Sequence, residues 1–419
     1  MCVGLSGGLD SVVLLHVMAG LAEPYRLRLC AVHVDHGLHP DAARWATFCT
    51  GLCEKLGVPL TVEPVVVDRS SGLGTEAAAR AQRYAVYADL KADYLMLAHH
   101  LDDQAETFLL QLLRGAGAKG LGAMPVVRRL GVAGPALLRP FLALTRAQLT
   151  AFARSNALNW IEDDSNAELG FDRNFLRHKV LPVIAERFPA YRSTLSRTSR
   201  NLADAAELSE ILGRQDLAAV RAGDAIALDA VRSWPASRAL NVLRCLIADL
   251  GYPPPRRAML REALRQAFAA RQDAQVRVDI GRFSLRRHRG ELHAVRNLEL
   301  PAGWRAEWRG AERQPLPEGL GELRFRAATG TGLSAQKLRQ GTVSVAFRGG
   351  GERIALAANR PHRCLRKLYQ EANVAPWLRE RTPLVFCGSR LVFVPGLGAA
   401  AEYQAGPEEA SWTVEWVTG

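Results

Sequence analysis

Lysine, paired cysteines and long apolar runs are all scarce in this chain, and each shortage excludes something. Of 54 basic residues in 419, six are lysine, and none precedes Lys55. A kinase-type phosphate loop needs a lysine after its glycines, so the glycine-rich turn near the start is not one. The seven cysteines stand at 2, 30, 49, 53, 245, 364 and 387, with no C-x-x-C among them. An odd, dispersed set argues against a disulfide framework and leaves buried thiols as the default. No stretch approaches the roughly 20 apolar residues of a membrane span. The run SVVLLHVMAGLA has the length of a signal core, but Asp10 and glycines precede it instead of a basic segment. The expectation is a cytoplasmic protein with no membrane partner. No internal repeat is found.

What is present is positive charge. The formal net charge is +12 and the isoelectric point is about 9.7. Composition is 48% hydrophobic and 23% charged, as in soluble globular proteins, and the length allows two or three domains. A coding bias accounts for arginine in place of lysine, but not for the excess of bases over acids. That excess favours a polyanionic partner, nucleic acid first.

The first chemistry-bearing stretch is Ser6-Gly7-Gly8-Leu9-Asp10-Ser11, between the apolar Cys2–Leu5 and a helical run to Ala22. Two glycines let backbone approach a ligand closely, and helix-start N–H groups then face an anion. Ser6 and Ser11 add hydroxyls. Asp10 beside a phosphate calls for a bridging cation, which points to Mg²⁺. A second glycine pattern, G-x-G-x-x-G at 115–120, follows a helical run instead of a strand, so a dinucleotide site is not expected there.

Apolar runs alternate with helical ones through residue 113, which implies crossover connections and a parallel sheet. Three polar clusters, SGGLDS, HVDHGL and AHHLDD, fall at strand ends, where such sheets bind ligands. The His and Asp residues of the last two also allow a rival reading, a metal-dependent phosphohydrolase. Past about residue 190 the pattern turns helical, with a β element near 276–295. Residues 301–341 are rich in Gly, Pro, Arg and Glu and read as a linker. The expected fold is α/β, with a parallel-sheet domain over 1–190, a mainly helical domain over 191–300, and a small α+β domain over 342–419.

SGGLDS resembles the S-G-G-x-D-S loop of the PP-loop, or N-type ATP pyrophosphatase, family. Within it, AVHVDHGL, AHHLDDQAETFLLQLLRGAGAKGL, RPFLALTRAQL, WIEDDSN and DRNFLRH together resemble the tRNA(Ile)-lysidine synthetases. RKLYQEANVAPWLRERTPLVF resembles their last domain. The likeness covers most of 1–185 and part of 342–400, and is sparse between. Only five residues precede Ser6, so the first strand is expected to be short and a truncated start stays open.

The resemblance implies an AMP-forming ligase. ATP would adenylate the C2 oxygen of the wobble cytidine in a CAU-anticodon isoleucine tRNA. Free L-lysine would displace AMP, giving lysidine and pyrophosphate. Ser6, Gly7, Gly8, Leu9, Asp10, Ser11 and His33 would bind ATP, with Asp10 on Mg²⁺. Asp10, Asp35 and Arg114 are the candidate catalytic residues. Glu162, Asp163 and Asp164 suit a cationic amino acid. Arg139 and Arg173, Asn174 and Arg177 are candidate tRNA contacts, the last two arginines being i, i+4 on one helix face. The carboxyl-terminal domains would hold tRNA, and a homodimer is left open. A tRNA thiolase of the same family is the nearest alternative, but the cysteine pattern offers it no C-x-x-C.

Overall fold

The apolar runs of the first 140 residues become six strands: β1 Cys2–Gly4, β2 Cys30–Asp35, β3 Leu60–Pro64, β4 Tyr94–Met96, β5 Val127–Arg129 and β6 Ala136–Leu138. They form one sheet in the order β3-β2-β1-β4-β6-β5. All neighbours pair in parallel except β5, which runs antiparallel on β6. The computed structural model describes residues 1–67, 74–131, 133–164, 168–271 and 274–418. Among these the chain forms two compact units, Met1–Leu212 and Gly213–Gly419.

The helices of the first unit are α1 Leu9–Ala22, α2 Ala42–Leu56, α3 Thr75–Asp89, α4 Leu101–Leu113, α5 Ala118–Leu121, α6 Arg146–Ser155, α7 Asp172–Phe175 and α8 Leu181–Arg187. A π-helical turn, Leu176–Val180, joins α7 to α8, and the long α9, Tyr191–Val220, carries the boundary between the units. Helix α1 has no polar stripe: Val12, Val13, Leu14 and Leu15 are all buried, because it lies between the sheet and α6. The chain builds β2 and β3 on one side of β1, then returns to place β4 on the other. The switch point therefore falls between β1 and β4, and their carboxyl ends open into the crevice where such sheets bind ligands.

The second unit departs from the sequence reading in one respect. Its helices Ala236–Asp249 and Arg257–Ala269 pack with a five-stranded antiparallel sheet that includes Arg277–Ile280, Phe283–His288 and Glu291–Arg296. Residues 301–341, expected as a linker, instead supply strands Arg305–Glu307, Arg313–Pro315, Glu322–Thr329 and Leu333–Ser334 to two further sheets, one of five strands and one of four. Trp308, Leu323, Phe325, Leu333 and Leu338 are buried in the same core as Tyr369 and Val392. Glycine turns between short strands gave this segment a loop-like composition, while the alternating Leu323 and Phe325 carried the strand signal.

Candidate active site

The SGGLDS turn leaves β1 and enters α1. Gly7 sits at φ +85°, a conformation that L side chains rarely adopt. A Cβ there would also lie 2.6 Å from Ile161 Cδ1 and 3.2 Å from Cys49 Sγ. Gly8 differs: its φ is −73°, and a Cβ would meet only Ser6 Oγ, at 3.6 Å. Neither strain nor a protein neighbour requires glycine at position 8, so the space over it is available to a ligand. Gly8 is the N-cap of α1 and no side chain caps that helix. Its first N–H groups therefore lack side-chain acceptors, which is the geometry of an anion site.

Hydroxyls hold the turn in shape. Ser11 Oγ donates to the Gly8 carbonyl at 2.9 Å and accepts from Ser6 N at 3.2 Å. His33 stands behind the loop, buried, with Nδ1 2.9 Å from the Leu5 carbonyl. It braces the end of β1 from within. Asp35 ends β2 and accepts from Gly37 N–H at 2.8 Å.

Asp10 faces His100 across the switch point, Oδ2 to Nε2 3.6 Å. Its Oδ1 is buried without a partner. His100 is 2% exposed and begins α4 in a capping box with Asp103. Burial alone would disfavour its cation, but Asp10, Asp103 and Asp102 outweigh burial and raise its pKa. Beyond His100 lies a cavity of about 390 Å³, lined among others by Asp102, Glu106, Arg177, Leu181 and Tyr191.

Arg173 and Arg177 do share a face, but it turns inward, contrary to the expected RNA-facing orientation. Arg173 donates to Glu106 Oε2 at 2.6 Å and to Asp103 Oδ1 at 2.7 Å. Arg177 holds Glu106 by two bonds, 2.6 and 3.0 Å. Glu106 is 1% exposed, so a buried carboxylate claims both guanidiniums. Asn174 is buried and donates to the Glu168 carbonyl. Asp102 accepts from Arg192 and from Arg146 N–H at the start of α6. Arg139 is buried as well, 2% exposed, with Nη1 on the Pro125 carbonyl at 2.7 Å. Arg114 alone is open: it pairs with Asp172 at 3.2 Å on the surface, a contact worth under about 1 kcal/mol.

The acidic loop lies against the glycine turn, because Ile161 N–H donates to the Gly7 carbonyl at 2.9 Å. Glu162 and Asp164 are exposed and Asp163 is half-buried. Ser165 and Asn166 of the same motif lie outside the described residues. Glu106 was missed by the sequence reading. The signal for it is D-D-x-x-E on a helix, which sets Glu106 at i+4 from Asp102 and i+3 from Asp103.

No group of three or more His, Cys, Asp and Glu side chains that could hold a metal occurs among the described residues, against the metallohydrolase reading. His36 accepts from Arg83 and His39 stacks on Trp45 instead. The buried thiols Cys2, Cys49 and Cys53 are equally unsuited to thiolase chemistry. Burial pushes Cys49 up to about 12 and Cys53 to about 11, and it raises Cys2 as well.

Family comparisons agree with this geometry. A PP-loop domain model matches residues 1–184. A TilS substrate binding domain matches 226–293, and a TilS substrate C-terminal domain matches 343–416. A tRNA(Ile)-lysidine synthase from Nitrosomonas europaea is 38% identical over 99% of this chain and 91% of its own length. The chain belongs to the tRNA(Ile)-lysidine synthase family. A second member, from Azoarcus sp., is 41% identical over 100% of this chain and 91% of its own. Among solved structures, a U34-tRNA thiolase from Methanococcus maripaludis is 17% identical, covers 48% of this chain and 72% of its own, and has a TM-score of 0.42. Among the described residues no helix is long and apolar enough to cross a membrane.

Proposed function

We propose that this chain joins L-lysine to C2 of the wobble cytidine in a CAU-anticodon isoleucine tRNA, using ATP through an adenylated base, in the cytoplasm. One observation carries the reading beyond family membership: an uncapped helix start with open space over Gly8 stands beside a strip of carboxylates, joined to it by the Ile161–Gly7 bond. Adjacent places suited to phosphate and to a cationic amine support the reading.

The base's C2 carbonyl is a weak electrophile, and its oxygen leaves readily only once it bears a phosphoryl group. The Leu9, Asp10 and Ser11 amides receive the phosphates of ATP as α-phosphate transfer expels pyrophosphate. The buried, unpartnered Asp10 Oδ1 fits Mg²⁺, which commonly takes one or two carboxylates and completes its shell with phosphate and water. Asp10 would hold it, with Asp35 from the neighbouring strand. Held there, it would supply positive charge to offset that on the departing pyrophosphate. Arg114, weakly held at the surface, is free to turn to phosphate. His33 braces the loop, and Arg173, Asn174 and Arg177 fix α7 and the π turn against α4.

Glu162, Asp163 and Asp164 attract the lysine side chain. At an ordinary pKa near 10.4 fewer than about one amine in a thousand is neutral at pH 7, so a nearby carboxylate must take the proton before attack. The test is release of pyrophosphate from ATP. The expected result is release that requires the CAU tRNA and continues over many turnovers once lysine is added. Release that ignores the RNA contradicts the reading.

A further inference from the structure

Two guanidiniums lie over the ring of Tyr84 on α3, and a third faces its hydroxyl. The Arg80 Cζ lies 4.9 Å and the Arg128 Cζ 5.3 Å from the centre of the Tyr84 ring. Arg80 Nη2 also donates to the Tyr84 hydroxyl at 3.3 Å. Arg139 faces the same hydroxyl, and its Nε is buried without a partner. None of the three arginines has a carboxylate partner among the described residues, whereas Arg173, Arg177 and Arg192 all do.

This arrangement is costly as it stands. A buried cation without an anion loses solvation, and like charges gathered close together repel. Burial, and then the neighbouring Arg128 and Arg80, lower the Arg139 pKa despite the opposing Tyr84. His99 adds no charge beside them: burial first, with Arg139 and Arg80 contributing, pushes it down to about 4. What completes such a cluster is an anion with several acceptor oxygens, bound by planar guanidinium forks.

The position selects the anion. Arg139 follows β6, which lies two strands from β1, or roughly 10 Å at ordinary strand spacing. Arg128 is on the edge strand β5, whose residues are all exposed. The cluster thus opens at the rim of the sheet, to one side of the glycine turn that receives ATP. We propose that Arg80, Arg128 and Arg139, organised by Tyr84, bind a backbone phosphodiester of the RNA strand that carries the reacting base. This rests on the reading that RNA is the substrate. The contact registers the strand on the enzyme and does not itself touch the reacting atoms.

Arg80 and Arg128 are exposed, so the double variant R80A/R128A tests the site without opening the core. Its fold is checked by circular dichroism and thermal midpoint. An unmodified anticodon stem-loop RNA is the probe, titrated by filter binding across a salt series, beside the KM for ATP. The expected result is RNA affinity weakened about tenfold. The log–log salt slope flattens by about 0.7 for a lost single-strand phosphate contact, and the KM for ATP is unchanged. Tyr84→Phe keeps the ring and shows a smaller loss. Unchanged RNA affinity and slope overturn the proposal. If the KM for ATP or inhibition by added pyrophosphate moves instead, the anion belongs to the nucleotide and the proposal is equally overturned. Because direct binding is read, failure of the lysine reaction in the unaltered enzyme would count against the proposed function and leave this site separately tested.

Discussion

Ile161 fills the space that a side chain on Gly7 would need: its Cδ1 lies 2.6 Å from the position of a Cβ, and its N–H donates to the Gly7 carbonyl at 2.9 Å. The two glycines of the phosphate loop therefore do different work. Gly7 is required by the fold, whereas the fold leaves the space over Gly8 open. Gly7→Ala is expected to destabilise the protein by roughly 1–3 kcal/mol, from the left-handed backbone and the crowding together. Gly8→Ala is expected to unfold at the unaltered urea midpoint, yet to raise the KM for ATP or abolish turnover. Equal destabilisation by both changes would remove the distinction.

The acidic loop should affect lysine alone. Converting Glu162 to Gln and Asp163 and Asp164 to Asn is expected to raise the KM for lysine about tenfold or more, the value of a lost charge-assisted hydrogen bond. A single burst of pyrophosphate with ATP and tRNA, before lysine is added, should persist. Loss of the burst with an unchanged lysine KM would assign the loop to ATP or RNA.

Glu106 stands at the centre of a buried charge network, so its removal is a stability experiment. Glu106→Gln keeps the shape but leaves Arg173 and Arg177 with Asp103 as the one carboxylate they still share. Breaking one partner of a buried pair costs about 3–5 kcal/mol, and urea unfolding should show a loss of that order. Arg173→Ala should lose stability too, and a double-mutant cycle should find strong coupling between the two. If stability holds and tRNA affinity drops with a flatter salt slope, the arginines contact RNA after all.

Stability should decline in acid through His99. Its folded pKa is held down at about 4, by burial first, against an ordinary 6.5. Between those values the unfolded chain binds the extra proton, so stability is full above pH 6.5 and falls as pH drops towards 4. The loss is on the order of 2–3 kcal/mol. His99→Gln should flatten urea midpoints measured from pH 7 to 4.5, and an unchanged pH slope would contradict this assignment.

The glycine turn and the parallel sheet were legible in sequence because both are local: residue types at fixed spacing and apolar runs of strand length. What Gly7 is for was not, since Ile161 is far along the chain. The i, i+4 spacing of Arg173 and Arg177 correctly put them on one face. It could not say which way the face turned, because the acceptors Asp103 and Glu106 lie some 70 residues upstream. Arg139 was picked out as a candidate tRNA contact without Arg80, which α3 sets at i, i+4 from Tyr84, and without Arg128, which only the folded sheet brings there. Residues 301–341 were misread because their strands are short and their burial depends on pairing with Val343–Ala346 and Ala410–Val417.

The central claim is a chemical one, that lysine replaces the C2 oxygen of a cytidine. The direct measurement is mass spectrometry of a CAU anticodon stem-loop incubated with the enzyme, ATP and lysine, followed by nuclease digestion. The account predicts one cytidine, at the wobble position, heavier by lysine less one water, with the C2 oxygen recovered on AMP. An unchanged cytidine despite ATP consumption, or a base that gains a different group, would contradict it.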